Sequence, residues 1–402
     1  MAAETRQLPI RVLAIDHTAG VAPYRRKFAA LAARQEIELT VLAPDRWVEN
    51  YRSVRLPGPP ERLADGYRLR TGAVIWPGYE NRGFYVSGLL GAMRRSRPEI
   101  VHLWEEPFSF MALQALVARR VAAPRAQALF FTSDNLSRGF RYPYRPSPLY
   151  AAIERWVHGQ CVAAGAVTEE VRDVLRSKGY RGPIDVLPHG LDLADYPEPT
   201  PERRQAARAR LGARGVVIGY AGRLLAMKGL DLLLRASAPA LRSGGDATVL
   251  IAGVGPERER LRGLAAELGL GERARFVDPV PHEAMPDLLA AFDITAMPSI
   301  TTPSATEQFG RLAMEAMAAG SAVVVSSSGG LPSVVGDAGI VVPEGDVPAL
   351  AQALERLIAS PAERASLGER ARARVRARFT WDRIAEALAA RYAVLSGRAP
   401  AT

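Results

Sequence analysis

A single cysteine, Cys161, in a chain of 402 residues rules out a disulfide framework and a cysteine zinc site, and it leads to the expectation of an intracellular, reducing compartment. No uninterrupted apolar run reaches about 18 residues, the length that a membrane-spanning helix needs. The start does not read as a secretory signal either: Met1 to Gln7 is polar, and the stretch Leu8 to Ile15 is short and interrupted by Pro9 and Arg11. Lysine is nearly absent, with Lys27, Lys178 and Lys228 the only lysines among 52 basic residues. The 35 glycines and 30 prolines are dispersed, and 48% of the residues are hydrophobic, so a globular protein is expected and a long disordered tract is not.

What is present is a succession of short apolar strands separated by helical stretches. Val12 to Ile15, Leu39 to Leu42, Ile100 to Leu103 and Ala128 to Phe131 read as buried strands in the first half. Val216 to Tyr220, Thr248 to Ala252, Ile294 to Met297 and Ala322 to Val325 do so in the second. Alternation of this kind predicts parallel sheets, and the length exceeds one core, so two α/β domains are expected. Pro188-His189-Gly190 punctuates a strand ahead of the polar, Pro-rich Asp192 to Pro201 stretch, which divides the chain into 1–187 and 188–378. A last segment, 379–402, opens with Phe379-Thr380-Trp381 and continues as an amphipathic helix over Asp382 to Leu395.

Charge is unevenly divided. Met1 to Leu187 holds 27 basic and 18 acidic residues, a net +9, which leaves +1 of the total +10 for the remainder. Bases cluster at Arg25-Arg26-Lys27, Arg94-Arg95-Ser96-Arg97, Arg119-Arg120 and Arg138 to Arg145, the last interleaved with Phe140, Tyr142 and Tyr144. Such a surface suits an anionic partner or the anionic face of a membrane, and it also fits plain solvation. Nucleic acid would attract the same charge, but no recognition-helix, zinc or RNP-like signature accompanies it, and no nucleic-acid partner is expected.

Two segments carry chemistry. In Glu307 to Gly320, Phe309-Gly310 breaks an extended approach, Leu312, Ala313, Met314, Ala316 and Met317 follow helical spacing, and Gly320 supplies a stop. Glu307 is therefore expected in a loop and Glu315 on a helix. A helix start offers backbone N–H groups and the positive end of the macrodipole to a diphosphate, and carboxylates accept hydrogen bonds from sugar or ribose hydroxyls. An ordinary core helix with two solvated acids would give the same pattern. In the second segment, Gly222 opens a loop at the carboxyl end of the Val216 to Tyr220 strand, and Lys228-Gly229 leads into a helix beginning near Asp231. Open α/β sheets bind ligands at the carboxyl ends of their strands, so Arg223 and Lys228 are expected to point into a crevice. A lysine kept in an arginine-rich chain, beside a guanidinium, suits a pyrophosphate leaving group; a solvent-facing loop base is the alternative.

With these segments in view, the chain resembles a family 4 retaining glycosyltransferase of the GT-B fold. The matching elements run in family order: Pro188-His189-Gly190-Leu191-Asp192, Gly222-Arg223 with Lys228-Gly229, and Gly253-Val254-Gly255-Pro256-Glu257. Phe276-Val277 with Val280-Pro281, Met297-Pro298-Ser299, the Glu307 and Glu315 pair, and Gly329-Gly330-Leu331-Pro332 complete the set. Ser333 departs from the family, which usually has an acid there. The resemblance implies an α/β fold of two Rossmann-like parallel-sheet domains facing each other across a crevice. The first would bind acceptor, the second a UDP- or GDP-sugar, and the final helix would pack back on the first.

The implied reaction moves a sugar to an acceptor hydroxyl with retention, by front-face attack in which a leaving phosphate oxygen receives the acceptor's proton. Arg223 and Lys228 would neutralise the leaving diphosphate and Glu307 would hold the sugar's hydroxyls. Glu315 would take the ribose, Phe309, Gly310, Arg311 and Leu312 would supply amides, and Val280 and Pro281 would meet the base through backbone groups. Gly253 fits a ligand contact and a structural turn equally. No Asp-x-Asp motif occurs, so neither metal nor cofactor is expected. On the acceptor side, His102-Leu103-Trp104-Glu105-Glu106-Pro107 follows a strand. Many members carry a histidine where this chain has Trp104, which leaves Glu105 or Glu106 to position the acceptor hydroxyl. His102 is a further acceptor-side candidate, and it fits a core histidine too. In Asp16-His17-Thr18-Ala19-Gly20-Val21 a single glycine replaces the family's Gly-Gly loop; Gly20 is a donor-binding candidate that would let backbone N–H groups approach the phosphate, and His17 is an acceptor-side candidate. The basic first domain suits a lipid-linked or cell-envelope glycan acceptor in polysaccharide biosynthesis, with Arg25, Arg26, Lys27 and Arg94 to Arg97 as a peripheral face on the inner side of the cell membrane. A soluble small-molecule or secondary-metabolite acceptor is the alternative, as is a catalytically silent scaffold. A GT-B epimerase or phosphorylase is not expected to show this Arg/Lys and Glu/Glu set.

Overall fold

The structure is a computed structural model that describes residues 8–49, 52–56, 58–79, 81–136, 148–198, 200–242, 245–303 and 305–398. The Arg138 to Arg145 cluster lies outside the described residues. Contacts divide the chain into two compact units, Met1–Gly190 with Trp381–Thr402, and Leu191–Thr380.

The first unit contains β1 (Ile10–Ile15), β2 (Ile37–Pro44), β3 (Arg46–Glu49), β4 (Arg52–Arg55), β5 (Glu61–Ala64), β6 (Tyr67–Gly72), β7 (Val74–Ile75), β8 (Phe84–Tyr85), β9 (Ile100–Leu103), β10 (Gln127–Thr132), β11 (Ala163–Ala166) and β12 (Ile184–Val186). Eight of these form a sheet in the order β12-β11-β10-β9-β1-β2-β6-β5, parallel except for β5; β3–β4 and β7–β8 are short antiparallel ribbons. Leu13, Ile15, Val101, Leu103 and Phe130 lie in its core. Strands covered on both faces read as continuous apolar runs, which is why the sequence shows them without alternation. Helix Trp381–Leu395 belongs to this unit. Its Arg391 binds Asp185 through two hydrogen bonds of 2.6 Å, and Tyr392 Oη lies 2.6 Å from His102 Nδ1.

The second unit is a six-stranded parallel sheet of β13 (Val216–Ala221), β14 (Ala247–Ala252), β15 (Ala274–Val277), β16 (Ile294–Met297), β17 (Ala322–Ser326) and β18 (Ile340–Val342), in the order β15-β14-β13-β16-β17-β18. The chain winds outward from β13 to β15, returns to β16 beside β13, and winds out the other way. Strand order therefore reverses between β13 and β16, and in the first unit between β1 and β9. At such a reversal the connections diverge and leave a cleft at the carboxyl ends of the strands. All eight strands expected from the sequence are present. No helix among the described residues is long and apolar enough to cross a membrane.

Candidate functional site

In the second unit the candidate residues leave consecutive carboxyl strand ends: Arg223 and Lys228 after β13, Gly253 after β14, Val280 and Pro281 after β15, and Glu307 to Leu312 after β16. The loops after β13 and β16 flank the reversal and are bonded to each other, the Ile300 N–H donating to the Met227 carbonyl at 2.8 Å. Lys228 Nζ lies 2.6 Å from Glu307 Oε2, and Ser299 Oγ donates to the same oxygen at 3.0 Å. The Glu307 main chain is gripped too. Its carbonyl accepts from the Gly330 N–H at 2.8 Å, and a Cβ on Gly329, at φ 53°, would fall 1.9 Å from that carbonyl oxygen. The Gly329-Gly330 pair is thus a clamp on the carboxylate-bearing loop. Gly253 has a comparable steric demand, since a Cβ there would lie 1.9 Å from the Gly222 carbonyl oxygen.

Helix Arg311–Ala318 starts directly after Gly310 and carries Glu315 on its buried side. Burial lifts the Glu315 carboxyl to about 7, against the pull of the Arg311 guanidinium one turn earlier, and its carboxylate has no hydrogen-bond partner among the described residues. The Leu312 amide, in the first turn, likewise donates to nothing described, as the geometry of a helix start requires. Phe309 is buried and its ring packs edge-on against Phe379, centroids 6.0 Å apart. The Arg223 side chain is exposed and unpaired among the described residues, while its carbonyl accepts from the Tyr220 hydroxyl at 3.1 Å. Val280 is half-buried and Pro281 exposed, just before the turn His282–Ala284. One free guanidinium, one paired ammonium, helix-start amides and a buried carboxyl suit a ligand that combines anionic groups with hydroxyl donors.

The first unit assembles its own cluster at the β1/β9 reversal. Glu105 Oε1 accepts from the His17 N–H at 2.8 Å, and Oε2 lies 2.7 Å from His17 Nδ1. The His17 ring packs on Trp47 at 4.7 Å. Burial raises the Glu105 carboxyl, and His17 opposes that rise. Glu106 ties the same loop to the end of β10, Oε2 accepting from Thr132 Oγ1 and Oε1 from the N–H and Oγ of Ser133, both at 3.0 Å. Gly20 is buried, with Trp47 Cβ 3.6 Å from where a side chain would begin.

One expectation takes its alternative form and one is corrected. His102 fits the core-histidine alternative: it is wholly buried, its Nδ1 lies 2.6 Å from Tyr392 Oη, its ring lies 4.7 Å from that of Trp104 at a tilt, and burial together with Lys27 pushes its imidazole down to about 3. Lys27 does not belong to a basic surface. Its ammonium lies 2.6 Å from Asp16 Oδ2 and 4.1 Å from the centre of the Trp104 ring. Burial alone would raise the Asp16 carboxyl, but Lys27, His17 and the bonds from Thr18 hold it below its ordinary value. Lys178 is buried as well, 2.5 Å from Asp134 and 2.9 Å from Glu154, so all three lysines of the chain are ion-paired. Sequence reasoning did not assign roles to Ser299, Trp47, Asp16 or Tyr392. Ser299 had a signal in Met297-Pro298-Ser299; Tyr392, 290 residues from His102, had none.

A family profile described as glycosyl transferases group 1 matches residues 203–374, and one described as glycosyltransferase family 4 matches residues 18–195. The 2-deoxystreptamine N-acetyl-D-glucosaminyltransferase of Streptomyces fradiae is 30% identical over 377 residues, covering 86% of this chain and 86% of that protein. The GDP-mannose-dependent monoacylated alpha-(1-6)-phosphatidylinositol monomannoside mannosyltransferase of Corynebacterium glutamicum is 35% identical over 215 residues, 52% of this chain and 56% of that protein. This chain thus spans little more than half the length of several curated relatives that it matches. Among solved structures, Anabaena HepE in complex with UDP superposes with a TM-score of 0.70 at 19% identity, covering 95% of this chain and 99% of that one, a likeness of fold. The profile matches along both units, the relative matched over 86% of both chains and the two parallel sheets agree: the chain belongs to glycosyltransferase family 4 and has the GT-B fold.

Proposed function

We propose that the protein moves a sugar from a nucleoside-diphosphate sugar to an acceptor hydroxyl with retention of configuration and without a metal. The observation that carries this reading is the Lys228–Glu307 pair beside the unpaired Arg223 at the strand-order reversal of the second unit. Arg223 and Lys228 meet the diphosphate. As the phosphate oxygens draw on the Lys228 ammonium, Glu307, still held by Ser299, turns its lone pairs to the sugar hydroxyls. The bond from the anomeric carbon to the diphosphate breaks, the bond to the acceptor oxygen forms on the same face, and the acceptor's proton passes to the leaving phosphate oxygen. Cations and amides placed for that developing charge lower the barrier without an enzyme nucleophile. Glu315 accepts from the ribose hydroxyls, and Val280 and Pro281 flank the base.

The relatives and neighbours include one named for GDP-mannose and one solved with UDP, so both nucleotides belong in the test. On the acceptor side, His17 with Glu105, and Glu106, orient the hydroxyl. The net +9 of the first half favours an anionic lipid-linked acceptor at the cytoplasmic face of a membrane, the class to which the Corynebacterium glutamicum relative's named substrate belongs. A soluble aminocyclitol-type acceptor is the second reading, favoured by the Streptomyces fradiae relative that matches over 86% of both chains. Incubation with a panel of UDP- and GDP-sugars tests the reaction: slow release of nucleoside diphosphate from one donor supports transfer, and none across the panel makes the protein a scaffold. In calorimetry, Glu315→Gln should weaken both nucleoside diphosphate and donor, whereas Glu307→Gln should weaken only the donor. Equal losses with both ligands would overturn that division of roles.

A further inference from the structure

The first unit carries an apolar surface that its own described residues leave open. In the β7–β8 ribbon, Val74 pairs with Tyr85 and both are buried, while the adjacent pair, Ile75 and Phe84, points outward. The connecting loop adds Trp76 and Tyr79, 56% and 52% exposed, and the chain beyond adds Val86 and Leu90. These are six of the fourteen large apolar side chains exposed among the described residues, gathered within sixteen positions, so the exposure is a patch and not scatter. Trp76 also sits at φ 52°, a conformation costly for a bulky residue, and yet stays more than half exposed. Folding alone gives no reason for an indole there.

Exposed bases border the patch. Arg82 lies over the Tyr79 ring at 5.2 Å, and on helix Leu89–Ser96 Arg94 follows Leu90 by one turn on the same face, with Arg95 and Arg97 exposed beyond it. Aromatic rings next to guanidinium groups match the boundary of a bilayer, where rings settle at headgroup depth and arginines reach phosphates. A two-fold contact with a second copy would instead bring two patches with the same arginine-rich border into one interface.

We propose that the face formed by Ile75, Trp76, Tyr79, Phe84, Leu90 and Arg94 docks the first unit on an anionic lipid bilayer. This deepens the lipid-linked reading above and rests on it for its purpose, but it is measured without donor or acceptor. Cosedimentation with phosphatidylglycerol-containing vesicles is expected at low salt and should weaken as salt rises; pure phosphatidylcholine vesicles should not bind. Trp76→Ser with Phe84→Ser, and separately Arg94→Glu with Arg97→Glu, should each reduce binding by about tenfold or more while leaving the melting temperature and donor hydrolysis unchanged. Vesicle binding without donor hydrolysis would retire the transferase reading and leave the docking face standing. Indifference of the unaltered protein to anionic vesicles at low salt, equal binding by the variants, or a dimer that Trp76→Ser with Phe84→Ser dissolves would overturn it.

Discussion

Replacing Lys228 by alanine probes the second unit where it is most constrained. The ammonium lies 2.6 Å from Glu307 Oε2, and the two side chains are only 14% and 11% exposed. Removing it takes away the ammonium paired with the Glu307 carboxylate, which Ser299 still binds. Breaking a buried ion pair costs about 3 to 5 kcal/mol, and the residual exposure puts this one near the lower end, about 3 kcal/mol. For a unit the size of Leu191–Thr380, each kcal/mol lowers the unfolding midpoint by about 2 to 4 °C, so a loss of about 6 to 12 °C is expected. Turnover should fall about 100-fold or more, the cost of one preorganised charge contact to a developing anion. Adding Glu307→Gln in the same background replaces that carboxylate with an amide, and should return most of the stability while turnover stays low. Scanning calorimetry and nucleoside diphosphate release measure the two effects. Wild-type melting and turnover in Lys228→Ala would make this lysine a loop base, and a double variant no more stable than Lys228→Ala would refute the ion-pair argument.

The remaining expectations concern other parts of both sites. Glu315 holds its proton more tightly folded than unfolded, because burial raises its carboxyl from 4.5 to about 7; the stability this group contributes is present below about 4.5 and is lost as pH rises through about 7. At about 1.4 kcal/mol per pH unit the loss is about 3 kcal/mol, so the melting advantage of Glu315→Gln over the unaltered protein should grow from about pH 5 to about pH 8, and parallel curves would refute it. Gly253→Ala would drive a Cβ to 1.9 Å from the Gly222 carbonyl oxygen and should destabilise the second unit by about 1 to 3 kcal/mol or more; an unchanged melting point would mean the loops can separate freely. Glu105→Gln removes the carboxylate that orients His17, so transfer to acceptor should fall while donor hydrolysis persists, and equal loss of both would remove the pair from the acceptor side.

The strands that were legible are those covered on both faces, such as β9 and β10, whose positions are nearly all buried and so read as unbroken apolar runs. Those that were not include β11, Ala163–Ala166, which is all small residues, and β18, Ile340–Val342, of whose three positions only Val342 is buried. The donor-side candidates were legible because each lies on one local strand, loop and helix: Arg223 and Lys228 between β13 and the helix Leu230–Arg242, Glu307 and Glu315 between β16 and the end of helix Arg311–Ala318. The bond that joins the two segments spans 79 residues and left no local trace.

By itself, then, the sequence determined the alternation of strands and helices, the loops at their carboxyl ends, and which charged residues those loops carry, because periodicity and turn chemistry are local properties. Only the tertiary structure decided what each charge does. Lys27 and Lys228 look alike as loop or helix bases, yet one is neutralised by Asp16 inside the first unit and the other by Glu307 at the candidate donor site. His102 became a core residue because Tyr392 arrives from the far end of the chain. The strength of a charge depends on its distance to a partner and on the water between them, and both are set by packing among residues that the sequence keeps far apart.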